Sequence, residues 1–181
     1  MKKIALILLL VTSLYSDAKI YLGFSGGGFN EEFHGINANS SSQMATLRLA
    51  YGDIKAYAVE FSLDYQKSDA QVFSSKSIDG DKIGFNINLM KSFDFDIYIL
   101  PFVKVGFGTG YLDIQRALQD RISYGSFQGS IGTFLPINEH FDIEVGYELR
   151  NTTYEPIDSV TKLTAYKSTT NLAYVGINYR F

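Results

Sequence analysis

The chain has 181 residues, no cysteine, and 16 lysines and arginines against 19 aspartates and glutamates, which gives a formal net charge of −3 at pH 7. Such a length suits a single domain, the lack of cysteine excludes a disulfide framework, and the mild acidity offers no electrostatic basis for binding nucleic acid. The 13 tyrosines, 14 phenylalanines and 16 glycines, with only 3 prolines, are typical of a β protein with many turns.

The first 18 residues predict a cleavable secretory signal peptide. Lys2 and Lys3 precede an apolar run over residues 4–14, and Ser16 and Ala18 supply small side chains where a signal peptidase reads them. The apolar run is shorter than the ~20 residues that a helix needs to cross a bilayer. We therefore expect cleavage after Ala18 and a mature chain of residues 19–181.

After the signal peptide, apolar and polar positions alternate from end to end, which is the pattern of half-buried strands. The clearest run places Tyr57, Val59, Phe61, Leu63 and Tyr65 on one face and small or acidic side chains on the other. In chain order the predicted strands are residues 19–29, 43–51, 57–65, 82–89, 97–107, 122–135, 141–150 and 173–181. That makes about eight strands of roughly ten residues, the length that a tilted membrane strand needs.

The connections between the predicted strands alternate in length. Long connections cover residues 30–42, 67–80, 109–121 and 151–167, and short ones cover residues 52–55, 91–95 and 136–139. Transmembrane barrels of bacterial outer membranes have short periplasmic turns and longer external loops. The parity therefore predicts both termini on the periplasmic side and distinguishes the chain from a soluble sandwich. The strands of a soluble carrier barrel also alternate, and the signal peptide, the apolar face bracketed by Tyr57 and Tyr65 and the aromatic end of the chain favour the membrane barrel over it.

Two segments resemble a known family. The chain ends Tyr174-Val-Gly-Ile-Asn-Tyr-Arg-Phe181, which resembles the C-terminal β-signal of bacterial outer-membrane proteins, and Leu100-Pro-Phe-Val-Lys-Val-Gly-Phe-Gly108 resembles a strand of the OmpA/OmpX-like and opacity-type small barrels. The resemblance implies an all-β, closed, antiparallel up-and-down transmembrane barrel of about eight strands in the bacterial outer membrane. It also implies that Gly176, Tyr179 and Phe181 form an assembly signal for the outer-membrane barrel assembly machinery.

The polar face of the predicted strands carries the candidate functional residues, with about five charges of each sign. The predicted lumen set is Arg48, Glu60, Asp64, Lys82, Lys104, Gln128, Glu144, Glu148, Arg150 and Arg180, and Asp142 shares its register. An eight-stranded barrel is just wide enough for its side chains, and buried charges need partners. The balance therefore predicts a salt-bridged filling of the lumen, with a gated ion path as the alternative.

The sequence predicts no catalytic, cofactor or metal site. His34 falls in the first external loop and His140 beside a periplasmic turn, so a barrel's height separates the only two histidines. A catalytic base and its nucleophile must lie within hydrogen-bond reach, and no pair in the sequence suggests one. The absence of cysteine and the scattered histidines also leave no metal-ligand spacing.

These observations predict a non-enzymatic, monomeric outer-membrane barrel with a structural or adhesion-type role. Its expected partners are outer-membrane lipid, the assembly machinery and an extracellular ligand bound by the external loops. Phe33, Phe73 and Leu118 are aromatic or apolar candidate anchors in those loops, since binding hot spots tend to be aromatic, and the loops are equally consistent with solvated caps. A narrow ion or small-solute channel is the alternative function, and a lipid-modifying barrel enzyme is a weaker one.

Overall fold

The computed structural model describes residues 18–35, 38–68, 70–74, 78–116, 119–156 and 166–181. Residues 1–17 of the predicted signal peptide lie outside this part of the chain. In chain order the described residues form the strands β1 (Lys19–Phe33), β2 (Asn39–Gly52), β3 (Tyr57–Lys67), β4 (Asp81–Ser92), β5 (Leu100–Asp113), β6 (Arg121–Pro136), β7 (Phe141–Tyr154) and β8 (Lys167–Arg180). No helix among the described residues is long and apolar enough to cross a membrane.

The eight strands close into one antiparallel barrel, as the sequence predicts. Each strand pairs with its neighbour in the chain, and β8 pairs back onto β1 with Tyr21 opposite Arg180. The amide of Phe181 adds a hydrogen bond of 3.1 Å to the carbonyl of Ile20 beyond the last paired residue. Closure leaves no strand edge with unpaired backbone groups, which is the condition for a β-structure in lipid.

Alternation gives the barrel two chemically opposite faces. Outward side chains in the middle of the strands are large and apolar, and Phe61, Phe85 and Phe107 are 52%, 60% and 64% exposed. Inward side chains along the same strands are polar or charged and buried. An exposed apolar belt of this extent marks a surface that meets lipid.

The two ends of the barrel differ in their connections. The end that holds the start of β1 and the end of β8 also holds the turns 53–56, 93–99 and 137–140, and we call it the periplasmic end because short turns face the periplasm. The opposite, outer end holds the connections 34–38, 68–80, 114–120 and 155–166. The expectation that every outer connection is long was wrong, since residues 34–38 make a shorter connection than residues 93–99.

The difference arises because β1 and β2 continue past their predicted ends. Glu31 pairs with Ser40, and Asn30 with Ser41, in a segment whose polar composition predicted a loop. Small polar side chains are compatible with a strand when the neighbouring strand supplies hydrogen-bond partners. Outside the lipid, the outward face needs no apolar residues, so the alternation that marks a membrane strand fades there.

Apolar side chains close the lumen at both ends. The periplasmic cap is formed by Tyr21, Ala50, Ile54, Ala58, Met90, Leu100, Phe102 and Phe134. The outer cap is formed by Phe33, Phe73, Leu112, Ile114, Ile122, Tyr124 and Tyr154. The charged groups around Glu144, Asp64 and Glu31 lie between these two caps, whereas Asp142 and Arg180 pair at the periplasmic end.

Candidate functional site

Glu144 of β7 is the centre of the charged lumen. Its side chain is 1% exposed, and one carboxylate oxygen accepts a hydrogen bond of 2.5 Å from Arg48 while the other lies 2.8 Å from the ammonium of Lys104. The hydroxyl of Tyr174 donates a hydrogen bond of 2.9 Å to the same carboxylate, and the side-chain amide of Asn178 donates one of 3.2 Å. With two cations and two neutral donors, this carboxylate has the partners that a buried charge requires.

Lys104 extends the network across the barrel. Its ammonium lies 2.7 Å from the carboxylate of Glu60 on β3, in addition to its contact with Glu144. Glu60 also accepts from the side-chain Nδ2 of Asn88 at 3.1 Å, and the side-chain Nε2 of Gln128 donates to Oδ1 of Asn88 at 2.7 Å. The chain of contacts therefore ties together strands that are not neighbours in the sheet.

A second group lies nearer the outer end. Asp64 accepts from the guanidinium of Arg150 at 2.7 Å, from Thr46 at 2.9 Å and from the amide of Asn86 at 2.8 Å. Arg150 also pairs with Glu148 on its own strand at 2.7 Å. Because Arg150 and Asp64 sit on β7 and β3, their bond crosses the lumen and braces opposite walls.

Glu31 of β1 forms a third group, and sequence reasoning missed it. Its carboxylate lies 3.1 Å from the ammonium of Lys82 and accepts hydrogen bonds of 2.6 Å from Tyr154 and 2.5 Å from Ser168. Glu31 lies beyond the predicted end of the first strand. Phe29, Glu31 and Phe33 alternate with exposed residues and point inward. Extending the first predicted strand past residue 29 with the same alternation would have placed Glu31 in the lumen.

Arg180 forms a separate pair at the periplasmic end. Two guanidinium nitrogens lie 2.9 Å from the two carboxylate oxygens of Asp142, and one also donates at 2.8 Å to the carbonyl of Asn138 in the turn 137–140. Asp142 is fully buried, whereas Arg180 is partly exposed. This pair fixes the last strand to a periplasmic turn and does not join the central network.

The structure places nine of the ten predicted lumen residues in buried positions, and Arg180 is the partly exposed one. It brings Arg48, Glu60, Lys104 and Glu144 into one group and Asp64, Glu148 and Arg150 into another. Lys82 joins neither group because its partner is Glu31. Gln128 reaches the central group through Asn88.

Two of the predicted assembly-signal residues lie on different faces of β8, and Phe181 follows its last residue. Gly176 faces inward, and a Cβ atom there would lie 2.7 Å from that of Ser25, so the position accepts only glycine without a shift. Tyr179 faces outward and packs edge-on against Phe141 and Phe181, with ring centroids 5.0 and 4.9 Å apart. The aromatic end of the chain therefore lies on the lipid-facing side of the periplasmic end.

Little space remains among the lumen side chains. A cavity of about 20 Å³ lies beside Thr46, Glu60, Ser130 and Glu148, which is room for about one water molecule. Among the described residues no group of three or more histidine, aspartate or glutamate side chains is arranged to hold a metal ion. His34 follows β1 at the outer end and His140 precedes β7 at the periplasmic end, so they share no site.

The expectation that Phe33 and Phe73 anchor an external ligand was wrong, because both rings are buried in the outer cap. Phe73 is 0% exposed and packs against Phe33 and Tyr154 with centroids 5.7 and 4.8 Å away. The carboxylate of Asp79 accepts hydrogen bonds of 2.7–3.1 Å from the amides of residues 72, 73 and 74, which holds the ring in place. Leu118, the third predicted anchor, lies outside the described residues.

A closed eight-stranded antiparallel barrel with an apolar belt outside and paired charges inside defines a small transmembrane barrel of the bacterial outer membrane. The family described as outer membrane protein beta-barrel domain matches residues 4–181, and the chain belongs to this family. Its location is the outer membrane, in contact with outer-membrane lipid.

Solved structures with the same fold include Neisserial surface protein A (11% identity, TM-score 0.68, covering 92% of this chain and 100% of that one). Ail, the attachment invasion locus protein of Yersinia pestis, in complex with the heparin analogue sucrose octasulfate, is 18% identical with a TM-score of 0.52 and coverage of 91% and 97%. OprG of Pseudomonas aeruginosa is 12% identical with a TM-score of 0.51 and coverage of 91% and 95%. At these identities the likeness shows the fold. No curated protein matches the chain.

Proposed function

We propose that the protein is a monomeric, non-enzymatic barrel that acts through its outer surface, in an adhesion-type role, and not through its lumen. The observation that carries the proposal is the close, paired packing of the described lumen side chains. An apolar cluster lies at each end, and between them cross-barrel pairs such as Arg48–Glu144 and Arg150–Asp64 flank a cavity of about 20 Å³.

The outer connections support a surface role because they are tied into a fixed arrangement. The guanidinium of Arg116 donates at 2.6 Å to the carbonyl of Phe73, and the amide of Gln115 donates at 3.1 Å to the hydroxyl of Ser74. Residues 70–74 and 114–116 are therefore fixed to each other, and Gln71 and Gln115 are their exposed side chains. A preorganised surface loses less conformational freedom on binding than a flexible loop does.

The channel alternative requires both caps and several buried ion pairs to open together. Removing one partner of a buried pair costs on the order of 3–5 kcal/mol, because the other charge stays buried without a counter-charge. Planar-bilayer recording with the purified, folded protein tests this alternative. We expect no steady conductance. A steady porin-sized current from the pure protein would contradict the filled lumen and favour the channel.

A binding measurement tests the surface role directly. Outer-membrane vesicles that carry the protein should bind immobilised heparin or extracellular-matrix proteins better than vesicles without it. Replacing residues 70–74 with a glycine-serine linker should abolish the difference, whereas the same replacement of residues 137–140 at the periplasmic end should not. Equal binding by vesicles with and without the protein would contradict the proposal.

The assembly machinery is the second proposed partner, through Gly176, Tyr179 and Phe181. The outward aromatic pair at the end of β8 supports this proposal. Deleting Phe181 should lower the heat-shifted, folded fraction in outer-membrane extracts more than the refolding yield in detergent, and Phe181→Tyr should behave like the parent. Normal insertion of the deletion variant would contradict this role.

A further inference from the structure

The outward surface of β1 and its two neighbouring strands is recessed between the middle of β1 and its outer end. Small residues face one another there, since Gly28 pairs with Ala173 of β8 and Gly26 pairs with Ala45 of β2. Phe24, the next outward residue of β1 toward the periplasmic end, is a large apolar side chain that is 57% exposed. The small residues therefore form the floor of a groove in a surface that large apolar side chains otherwise cover.

This groove has a volume of about 650 Å³ and extends from the glycines of β1 to Gln43, Tyr65 and Lys67. Ligand sites in proteins have volumes of roughly 300–1,000 Å³. Another outward groove, of about 600 Å³, lies among large apolar side chains such as Phe61 and Phe85. The groove over the glycines differs from it because exposed polar side chains, those of Gln43 and Lys67, stand at its rim.

Two asparagine side chains follow the groove on the outward face, toward the outer end. Asn30 and Asn171 pair across β1 and β8, two residues beyond the small residues of the groove. Oδ1 of Asn30 accepts a hydrogen bond of 3.2 Å from the hydroxyl of Ser41, and Oδ1 of Asn171 accepts one of 2.7 Å from the hydroxyl of Tyr147. Because a hydroxyl donor fixes each Oδ1, the Nδ2 groups of both asparagines are oriented donors for a further acceptor.

The same arrangement recurs on β7. Oδ1 of Asn151 accepts a hydrogen bond of 3.1 Å from the hydroxyl of Thr169, which lies 3.0 Å from Nε2 of His34. Fixed amide donors suit the oxygen atoms of sugars, and a surface whose polar groups are already oriented loses less conformational freedom on binding. Glu32 is exposed on the same outward face, and its charge disfavours a ligand that offers only anionic groups here.

We propose that this flank of the barrel is a specific site for one glycolipid molecule of the outer leaflet. One acyl chain lies in the groove over Gly26 and Gly28, and the saccharide accepts hydrogen bonds from Asn30 and Asn171. The order of the features selects an amphiphile, because the groove lies within the apolar belt and the amide donors lie directly beyond it. Lys67 at the rim pairs with a phosphate of the glycolipid. A phospholipid offers the acyl chain and the phosphate but no sugar for the amides.

Native mass spectrometry of the folded protein tests this site, because it counts the lipid molecules that stay bound when the detergent is removed. The protein is titrated with lipopolysaccharide of truncated saccharide and, separately, with phosphatidylglycerol. We expect one retained lipopolysaccharide for each barrel and weaker retention of phosphatidylglycerol. Gly28→Leu fills the groove and should weaken lipopolysaccharide binding by about tenfold, the effect of about two methylene groups that lose their contact.

Gly125→Leu is the matched control, at an outward glycine of β6. An added Cβ meets no atom within 4 Å at Gly125 or at Gly28, so both variants place the same side chain on an open outward surface. The control should bind lipopolysaccharide like the parent. Asn30→Ala combined with Asn171→Ala leaves the groove intact and should lower the affinity for lipopolysaccharide toward that for phosphatidylglycerol.

Equal lipopolysaccharide binding by Gly28→Leu and the parent would overturn the proposal, and so would phosphatidylglycerol bound as tightly as lipopolysaccharide. A dimer that Gly28→Leu dissociates would assign the groove to a second copy of the chain and would also overturn it. Heat-shifted migration on a denaturing gel checks that each variant is folded. If Gly28→Leu does not fold, Ala45→Leu fills the same groove with the same expected outcomes.

Discussion

The two caps close the same lumen by different means. Phe102 and Phe134 of the periplasmic cap project from paired strands, with ring centroids 4.7 Å apart. The periplasmic cap takes one side chain, Ile54, from a turn, whereas the outer cap takes two, Phe73 and Ile114, from connections between strands. A strand side chain is directed inward by the pleat, whereas a side chain in a connection reaches the lumen only if other contacts fold that connection over the barrel.

In each cap, one polar side chain forms hydrogen bonds that hold a neighbouring turn or connection in place. In the periplasmic cap the hydroxyl of Tyr21 donates to the carbonyl of Gly52 at 2.9 Å and accepts from the amide of Ile54 at 2.7 Å. In the outer cap the carboxylate of Asp79 accepts from three successive amides around Phe73. The comparison indicates that the periplasmic cap is part of the cooperative barrel and the outer cap a locally stabilised addition.

The largest loss of stability is expected for a substitution between the caps, at Glu144. Glu144→Ala leaves Arg48 and Lys104 without this counter-charge, and we expect the free energy of unfolding to fall by about 3–5 kcal/mol. Urea unfolding in detergent micelles measures the change, and Val145→Ala on the adjacent outward position is the control, with a small effect. A Glu144→Ala barrel as stable as the parent would show that the two caps hold the barrel without the network.

Phe102→Ala and Phe73→Ala test most directly whether the two caps contribute differently to the stability of the barrel. Phe102 is 2% exposed on a paired strand, and its truncation should lower the free energy of unfolding by about 3 kcal/mol. Phe73→Ala should shift the unfolding midpoint less and increase proteolysis within residues 68–80, because this connection can open without breaking a strand pair. Equal global destabilisation by both variants would contradict the difference between the caps.

A smaller effect is expected for Tyr21→Phe. The change removes the acceptor of the Ile54 amide and the donor to Gly52 while keeping the ring, and an unpaired buried amide should cost about 1–2 kcal/mol. Tyr98→Phe, at a hydroxyl on an exposed ring, is the matched control and should be neutral. Thermal unfolding followed by gel shift compares the two, and identical midpoints would mean that water replaces the lost hydroxyl.

The smallest effect concerns pH at the turn 93–99. The amide of Asp96 and then the ammonium of Lys55 lower the pKa of Asp94 below its ordinary value of 3.8. A carboxylate with a lowered pKa stabilises the folded turn above that ordinary value, and the contribution is lost as the pH falls through the folded-state pKa. The amide shift of Asp96 in micelles should titrate below the ordinary midpoint and lose this step in Asp94→Asn. An unshifted midpoint would contradict the contact.

The sequence predicted the fold well where strands cross the lipid and less well beyond it. The third strand was predicted over residues 57–65 and is found as Tyr57–Lys67, whereas the second was predicted over residues 43–51 and is found as Asn39–Gly52. In the lipid, one face must be apolar, so alternation is enforced. Beyond the lipid both faces tolerate polar residues, and for that reason Glu31 escaped the predicted lumen set.

The sequence by itself determined which side chains of a strand share a face, because a period of two assigns every residue to one of two faces and a slip of one residue would reverse them all. Only the tertiary structure decided the partners. Arg48 meets Glu144 96 residues away, and Lys82 meets Glu31 51 residues away. These pairs, and the burial of Phe73, depend on how strand tilt and stagger bring opposite walls and connections together. The pattern of residues along a single strand does not contain that information.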